Sequence, residues 1–205
     1  NYTTKTFGVS STVEYNGTSQ SVSGETYGHL TTSGSGTKTL AGNTTVNGVL
    51  TVELGTDLDA STRTPILAGS GTPLIVNGTF TPSSSTVSYT SGSGATVTAV
   101  DYNHLTVNGA GGTFTPADNL PVAGDLTVSA GILDLGAHTA DRTTSGGTLM
   151  VANGATLKIG GTNTLPANYT AHAIGASGTI EYNGASQVVA VLNSAQNYGN
   201  LTLSG

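Results

Sequence analysis

The chain has 205 residues, and only 8% of them are charged, with a formal net charge of −6. Five lysine and arginine residues cannot neutralise a run of phosphates, so the composition excludes nucleic acid as a partner. Cysteine is absent, which excludes disulfide bonds and thiolate metal sites. No apolar run reaches the roughly 18 residues of a transmembrane helix, and we expect neither a membrane span nor a cofactor.

Alternation of apolar and polar residues is the main pattern along the chain. It is clear in residues 49–54, 147–151 and 155–159, which are rich in Val, Leu, Ile and Thr. Such short runs, bounded by glycine or Asn-Gly, indicate β-strands. Asn-Gly pairs begin at residues 16, 47, 77, 108, 153 and 183 and predict tight turns, because both residues tolerate positive φ. No stretch has the length and 3.6-residue spacing of a helix, so the sequence predicts an all-β fold.

The beginning of the sequence returns near its end. Residues 1–22 and 168–189 are identical at 13 of 22 positions, and the match resumes after a short insertion. A weaker copy lies between the two strong ones. The recurring residues are Tyr15, Tyr89 and Tyr182; Tyr27, Tyr102 and Tyr198; and Leu30, Leu105 and Leu201. Such a restart is typical of a fibre, stalk or solenoid, in which each unit buries its apolar face against the next.

The repeats divide the chain into three parts. Residues 1–85 form a first half-repeat, and residues 86–167 form a diverged second half-repeat. Residues 168–205 begin the next repeat and are equivalent to residues 1–38. We therefore expect a segment of a longer array, or a subunit that continues end to end.

Two architectures are compatible with many short strands. In a parallel β-solenoid, or β-helix, the strands coil and stack in ladders. In the alternative, each half-repeat is an antiparallel Ig-like β-sandwich, one bead in a tandem array, and the Asn-Gly turns would suit its hairpins. The absence of Trp and the presence of only three Phe disfavour a sandwich core. Evenly spaced small strands with glycine at the corners favour the solenoid, which is our prediction.

Two stretches carry a resemblance to a known style of repeat. Residues 36–52 read GTKTLAGNTTVNGVLTV, and residues 126–136 read LTVSAGILDLG. Both resemble the β-strand repeats of autotransporter passengers. The whole chain is similar to the long repetitive regions of giant bacterial surface and secreted proteins, including haemagglutinin-like adhesins. The resemblance implies a right-handed parallel β-helix on or outside a bacterial cell, with a structural or adhesive role.

Asp57 and Asp59 form the one pair of carboxylates that invites a chemical interpretation. In a strand, both would point to one face about 7 Å apart, a separation compatible with glycoside hydrolysis, and Arg63 follows closely. With neighbouring carbonyl groups, the pair could also form a weak calcium site. The flanking Gly55-Thr56 and Ala60-Ser61 favour a solvated loop without either function.

The recurring tyrosines and histidines have both a binding and a structural interpretation. An exposed row of tyrosines could bind glycan by stacking, whereas buried rings would pack on one another or close an open end of the core. We favour packing. His29 and His104 occupy matching repeat positions, and the third copy has Asn200 there. A position that accepts His or Asn indicates a hydrogen bond at a turn rather than a metal ligand.

Six Asn-x-Ser/Thr sequences are present, beginning at Asn1, Asn16, Asn43, Asn77, Asn168 and Asn200. In a chain so rich in Asn and Thr, many of these arise from composition alone. Asn16, Asn43, Asn77 and Asn168 are the possible glycosylation sites, if the host modifies asparagine.

The sequence therefore predicts a non-catalytic structural repeat protein. It would form an extracellular or cell-surface fibre, sheath or stalk by end-to-end continuation with copies of itself. One alternative is a bacterial surface adhesin that binds glycan or protein. The second alternative is a polysaccharide-cleaving β-helix enzyme, which would need Asp57 and Asp59 in a groove with Arg63.

Overall fold

The computed structural model describes residues 5–192 and 196–205 and contains strands without helices in that part of the chain. No helix among these residues has the length and apolarity to cross a membrane. The strands are β1 Thr12–Tyr15, β2 Gln20–Val22, β3 Thr26–Tyr27, β4 His29–Thr32, β5 Gly36–Leu40, β6 Thr44–Val46, β7 Leu50–Val52, β8 Thr56–Asp59, β9 Pro65–Leu67, β10 Leu74–Val76, β11 Thr79–Thr81, β12 Thr86–Tyr89, β13 Ala95–Val97, β14 His104–Pro116, β15 Leu126–Asp134, β16 Gly146–Val151, β17 Thr156–Ile159, β18 Tyr169–Ile174, β19 Thr179–Tyr182 and β20 Asn200–Leu203.

The strands stack as a parallel β-solenoid, which confirms the predicted fold class. Every strand pairing in the described residues is parallel, and each pairing joins strands of successive coils. The sandwich alternative is wrong because it requires antiparallel pairs. Asn-Gly pairs such as Asn47-Gly48 and Asn77-Gly78 lie at corners between successive strands instead of in hairpins. Asn108-Gly109 lies inside β14, at the register shift that separates the two halves of that strand.

Each coil passes over three faces in turn. The first face contains β1, β4, β7 and β10 and continues through the Gly71–Ala95 bridge to β13, the later halves of β14 and β15, and β17, β19 and β20. The second face contains β2, β5, β8 and β11, followed by the bridged residues Tyr102, Val122 and Arg142. The third face contains β3, β6, β9, β12, the early halves of β14 and β15, and β16 and β18.

Columns of apolar side chains fill the centre of the coils. Leu30, Leu50 and Leu74 stack in register on the first face, and each is at most 2% exposed. Alternation explains this core, because every second residue of a strand points inward. Burying a leucine completely stabilises the fold by about 2 kcal/mol, and stacked coils repeat this contribution along the axis.

The long sequence repeat corresponds to a whole number of coils. Val13 in β1 and Ile180 in β19 both lie on the first face, eight strand-to-strand steps apart. The offset between the first and the last copy of the repeat therefore spans eight coils. Val87 of the middle copy lies in β12 on the third face, so this weaker copy is out of phase with the other two.

Residues 168–205 cover less of the repeat than their number suggests, because they contain an insertion. Tyr15 and Tyr27 are 12 residues apart, whereas their counterparts Tyr182 and Tyr198 are 16 apart. Four residues are therefore inserted, and residues 168–205 correspond to residues 1–34 instead of 1–38. The strand ladder is continuous across residue 85, because β12 pairs with both β9 and β14. The division at residue 85 thus remains a division of the sequence.

Candidate functional site

The six recurring tyrosines form three hydroxyl pairs, one in each copy of the repeat. The oxygen–oxygen distances are 3.1 Å for Tyr15 and Tyr27, 3.0 Å for Tyr89 and Tyr102, and 3.4 Å for Tyr182 and Tyr198. The middle pair is buried, with both side chains at most 1% exposed. Rings buried in this way have no face available for stacking on a glycan.

Each tyrosine pair also forms hydrogen bonds with the backbone of one further residue. We call this arrangement a tyrosine clamp. The first tyrosine accepts the N–H of the clamped residue, and the second donates its hydroxyl to the C=O of the same residue. In the middle clamp, Thr98 N–H reaches Tyr89 Oη at 3.1 Å, and Tyr102 Oη reaches Thr98 O at 2.5 Å. The clamped residues are Ser23, Thr98 and Ala190.

The hydrogen bonds of a clamp form a closed ring. Because the second tyrosine gives its proton to the carbonyl, its oxygen must accept the proton of the first tyrosine. The first oxygen is then available to the backbone N–H, so each donor has one acceptor. Burial raises the pKa of both Tyr89 and Tyr102 above the usual tyrosine range. Both hydroxyls therefore keep their protons at neutral pH, and the ring stays intact.

The sequence identified the tyrosines but not the residues that they hold. The clamped residues are a serine, a threonine and an alanine, because only their backbone atoms take part. No shared side chain could have marked them. The third clamp keeps its contacts although the four inserted residues lie between Ala190 and Tyr198. The clamp thus fixes a corner of the coil and tolerates a longer connection beside it.

The recurring leucines and histidines bind successive coils together. Leu30 and Leu105 are fully buried, whereas Leu201 in the last coil is 43% exposed. Nδ1 of His29 accepts the Val49 N–H at 3.1 Å, and Nδ1 of His104 accepts the Asp125 N–H at 2.9 Å. The two histidines therefore hold the backbone of the next coil, in agreement with the predicted hydrogen-bonding role.

Asp57 and Asp59 lie in strand β8, so the solvated loop expected there is wrong. Asp57 Oδ1 accepts the Thr81 hydroxyl at 2.8 Å, and Asp59 Oδ1 accepts the Ser83 hydroxyl at 2.7 Å. Arg63 is exposed in the corner that follows. In residues 5–192 and 196–205, no three His, Cys, Asp or Glu side chains come together as a metal site. Both carboxylates are thus occupied with neighbouring hydroxyl groups.

Lys38 is a buried residue that the sequence interpretation missed. It points inward from β5 and is 0% exposed. Its Nζ donates to the carbonyl oxygens of Gly17, Thr18 and Ser35 at 2.7–3.1 Å. The sequence signal for its burial was its position two residues before the inward Leu40 in the same strand. The ammonium group closes a corner where three carbonyl groups converge.

The four candidate glycosylation sites are exposed. Asn16 lies after β1. Asn43 Oδ1 accepts the Thr64 N–H at 2.9 Å, and Asn77 Nδ2 donates to Glu53 at 3.2 Å. Asn168 Nδ2 donates to the Arg142 carbonyl at 2.8 Å. Three of the four amides therefore already bridge neighbouring coils. Asn1 lies outside the described residues, and Asn200 begins β20.

The two edges of the solenoid differ in chemistry. The edge at β20 is apolar, with Leu203 67% exposed and Val191 95% exposed. The edge at β1 carries Glu14 and Gln20, and its Val13 is only partly buried. An edge strand presents unpaired N–H and C=O groups that can pair with another strand. Among the described residues, β1 and β20 each pair with a strand on one side only.

Comparison of the chain with protein-family models, with curated proteins and with solved structures finds no match. Function has to be inferred from the geometry of the solenoid itself. The interior contains aliphatic columns and backbone clamps. Asp57 and Asp59 accept hydrogen bonds from hydroxyl groups, and β1 and β20 are outermost strands of the described coils.

Proposed function

We propose that this protein is a non-catalytic structural repeat whose coils form part of an extracellular fibre, sheath or stalk. Units of eight coils continue along one axis, and the rod gives length and stiffness to the assembly. The partners are further copies of the repeat. The proposed place outside a bacterial cell comes from the resemblance of residues 36–52 and 126–136 to surface-protein repeats.

The whole-coil period is the observation that supports this proposal. A sequence repeat of eight coils brings β19 onto the same face as β1, so the apolar columns line up again. Ser33 Oγ donates to Glu14 in the first copy, and Ser204 Oγ donates to Glu181 in the last. A period that returns to the same face can be repeated without a change of axis or of core.

The test is the length of a tandem chain in which residues 1–205 are followed by residues 35–205. Because Gly205 corresponds to Gly34, this junction keeps the faces in phase. Parallel strands lie about 4.8 Å apart, so eight added coils should lengthen the rod by about 38 Å. Small-angle scattering and electron microscopy of single particles measure this increment.

A direct fusion of two 1–205 chains is the matched control. After β20 on the first face, the next strand should be one of the second face, as β5 follows β4. In the direct fusion, the residues equivalent to β18, a third-face strand, arrive instead. We expect a kinked or partly unfolded molecule with a lower thermal midpoint. If the in-phase chain is no longer and no more regular than the direct fusion, the proposed rod function is wrong.

A further inference from the structure

The structure contains one complete joint between the repeat copy at residues 168–189 and the coil beneath it. Strand β19 lies on β17, with Ile180 over Leu157. Lys158 Nζ is 3.2 Å from Glu181 Oε2. This joint shows which groups lie beneath the first strand of a repeat copy when a preceding coil is present.

A second feature of the joint is the side-chain amide of Gln187. Its Nε2 donates to Ile159 O at 3.0 Å and to Asn163 O at 2.8 Å, both in the coil beneath. Its Oε1 accepts the Gly184 N–H at 2.6 Å. The amide therefore joins its own coil through the oxygen and the preceding coil through the nitrogen.

The edge at β1 presents the same groups, and among the described residues β1 pairs only with β4, on its other side. Gln20 corresponds to Gln187, and its Oε1 accepts the Gly17 N–H at 2.7 Å, so the side chain is already oriented. Glu14 corresponds to Glu181. In the part of the chain that the structure describes, neither Gln20 Nε2 nor Glu14 has a partner on the lower side.

We propose that the β1 edge is a docking surface for a coil of the same kind as residues 155–163. This inference rests on the proposed function and names the partner residues of its joint. A lysine in the partner coil pairs with Glu14, and a cluster of corner carbonyls accepts the Gln20 amide. An inward Leu-x-Ile pair packs beneath Val13 and Tyr15, as Leu157 and Ile159 do beneath β19.

The β20 edge does not offer this set of groups. If β1 stacked directly on β20, Leu201 and Leu203 would provide the apolar contacts, but Thr202 would stand where Glu14 needs a lysine. The polar half of the joint would be lost. The β1 edge is therefore expected to discriminate between the coil that ends a repeat unit and the coil that begins one.

The first test compares Gln20→Glu with Gln187→Glu in the 1–205 chain by hydrogen exchange. Both substitutions keep the oxygen that accepts a glycine N–H and replace the amide donor by a carboxylate. At Gln187 the new charge faces the carbonyl oxygens of Ile159, Gly160 and Asn163. We expect residues 179–190 to lose protection at least about tenfold. At Gln20 no such acceptors are present, and protection of residues 12–22 should change less than about twofold. Equal effects at the two sites would overturn the inference.

The second test extends the chain by placing residues 142–167 before residue 1, which copies the sequence of the interior joint. We expect residues 12–22 to gain at least about tenfold protection, and Gln20→Glu or Glu14→Gln to remove much of that gain. No gain, or a gain insensitive to both substitutions, would overturn the docking surface. So would filaments formed by the unextended chain through β20. If the in-phase tandem rod still forms in these cases, the proposed function stands and only the joint is wrong.

Discussion

Removal of one hydroxyl from the middle tyrosine clamp should destabilise the coils around it strongly. In Tyr102→Phe, the Thr98 carbonyl loses its donor and the Tyr89 hydroxyl loses its acceptor. The side chains of Tyr89 and Tyr102 are buried, so water cannot replace the lost partners without opening the coil. Each buried polar group left without a partner costs about 1–3 kcal/mol. We therefore expect the free energy of unfolding to fall by roughly 2–4 kcal/mol.

Tyr198→Phe is the matched control, because it removes the corresponding hydroxyl from the third clamp, in the last coil. Tyr198 is only partly buried there, and water can reach the Ala190 carbonyl that it serves. We expect a loss below about 1 kcal/mol.

The assay is urea unfolding together with hydrogen exchange at residue 98. Local exchange is needed because the coils of a repeat protein can unfold separately. Tyr89→Phe adds a second readout, since it leaves the Thr98 N–H without its acceptor and should speed exchange at that amide. If Tyr102→Phe lowers stability no more than Tyr198→Phe, the closed ring of hydrogen bonds does not stabilise the fold as described.

Three further predictions concern pH, a buried charge and a close backbone contact. Burial raises the folded-state pKa of Tyr89 and Tyr102 above the unfolded value of about 10. The free energy of unfolding is therefore unaffected by ionisation of these groups below pH 10 and falls above it, by up to about 1.4 kcal/mol per pH unit for each residue. A urea midpoint that stays constant from pH 9 to 11 would contradict this. Lys38→Met leaves three carbonyl groups without their donor and should lower stability by about 2–4 kcal/mol. Lys158→Met removes one partly exposed ion pair and should lower it by less than about 1 kcal/mol in the same urea assay. Gly69→Ala should lower the thermal midpoint markedly because a Cβ would collide with the Gly48 carbonyl oxygen, while Gly8→Ala, with nothing closer than 4.0 Å, should leave it nearly unchanged.

Local patterns in the sequence were sufficient for the strands and for much of the core. Alternating residues such as Leu50 and Val52 point inward as a period of two requires, and both are buried. The recurring tyrosines marked the clamps, because a large side chain at matching positions of three copies indicates a common environment. The same alternation places Lys38 inward, but a charged residue is not expected in a core, so its burial was not predicted.

Strand direction could not be read from these patterns, because alternation is the same in parallel and antiparallel strands. Asn-Gly pairs illustrate the ambiguity. The pair at residues 47–48 suited a hairpin, yet it lies at the corner between β6 and β7, which are on different faces and pair in parallel with strands of other coils. The resemblance to surface-protein repeats and the small number of aromatic residues favoured the solenoid, but only the pairing of the strands decides between the architectures.

The sequence by itself determined that the chain is all-β, that apolar and polar residues alternate, and that the opening pattern restarts at Asn168. Only the tertiary structure decided that this distance is eight coils and that the middle copy lies on another face. The physical reason is that coils differ in length: Thr12 pairs with His29 in one coil, whereas Leu50 pairs with the more distant Leu74 in another. The face that a strand reaches therefore depends on the summed lengths of all earlier corners. The same holds for the clamped residues, whose backbone atoms enter the clamps because of where the coil places them.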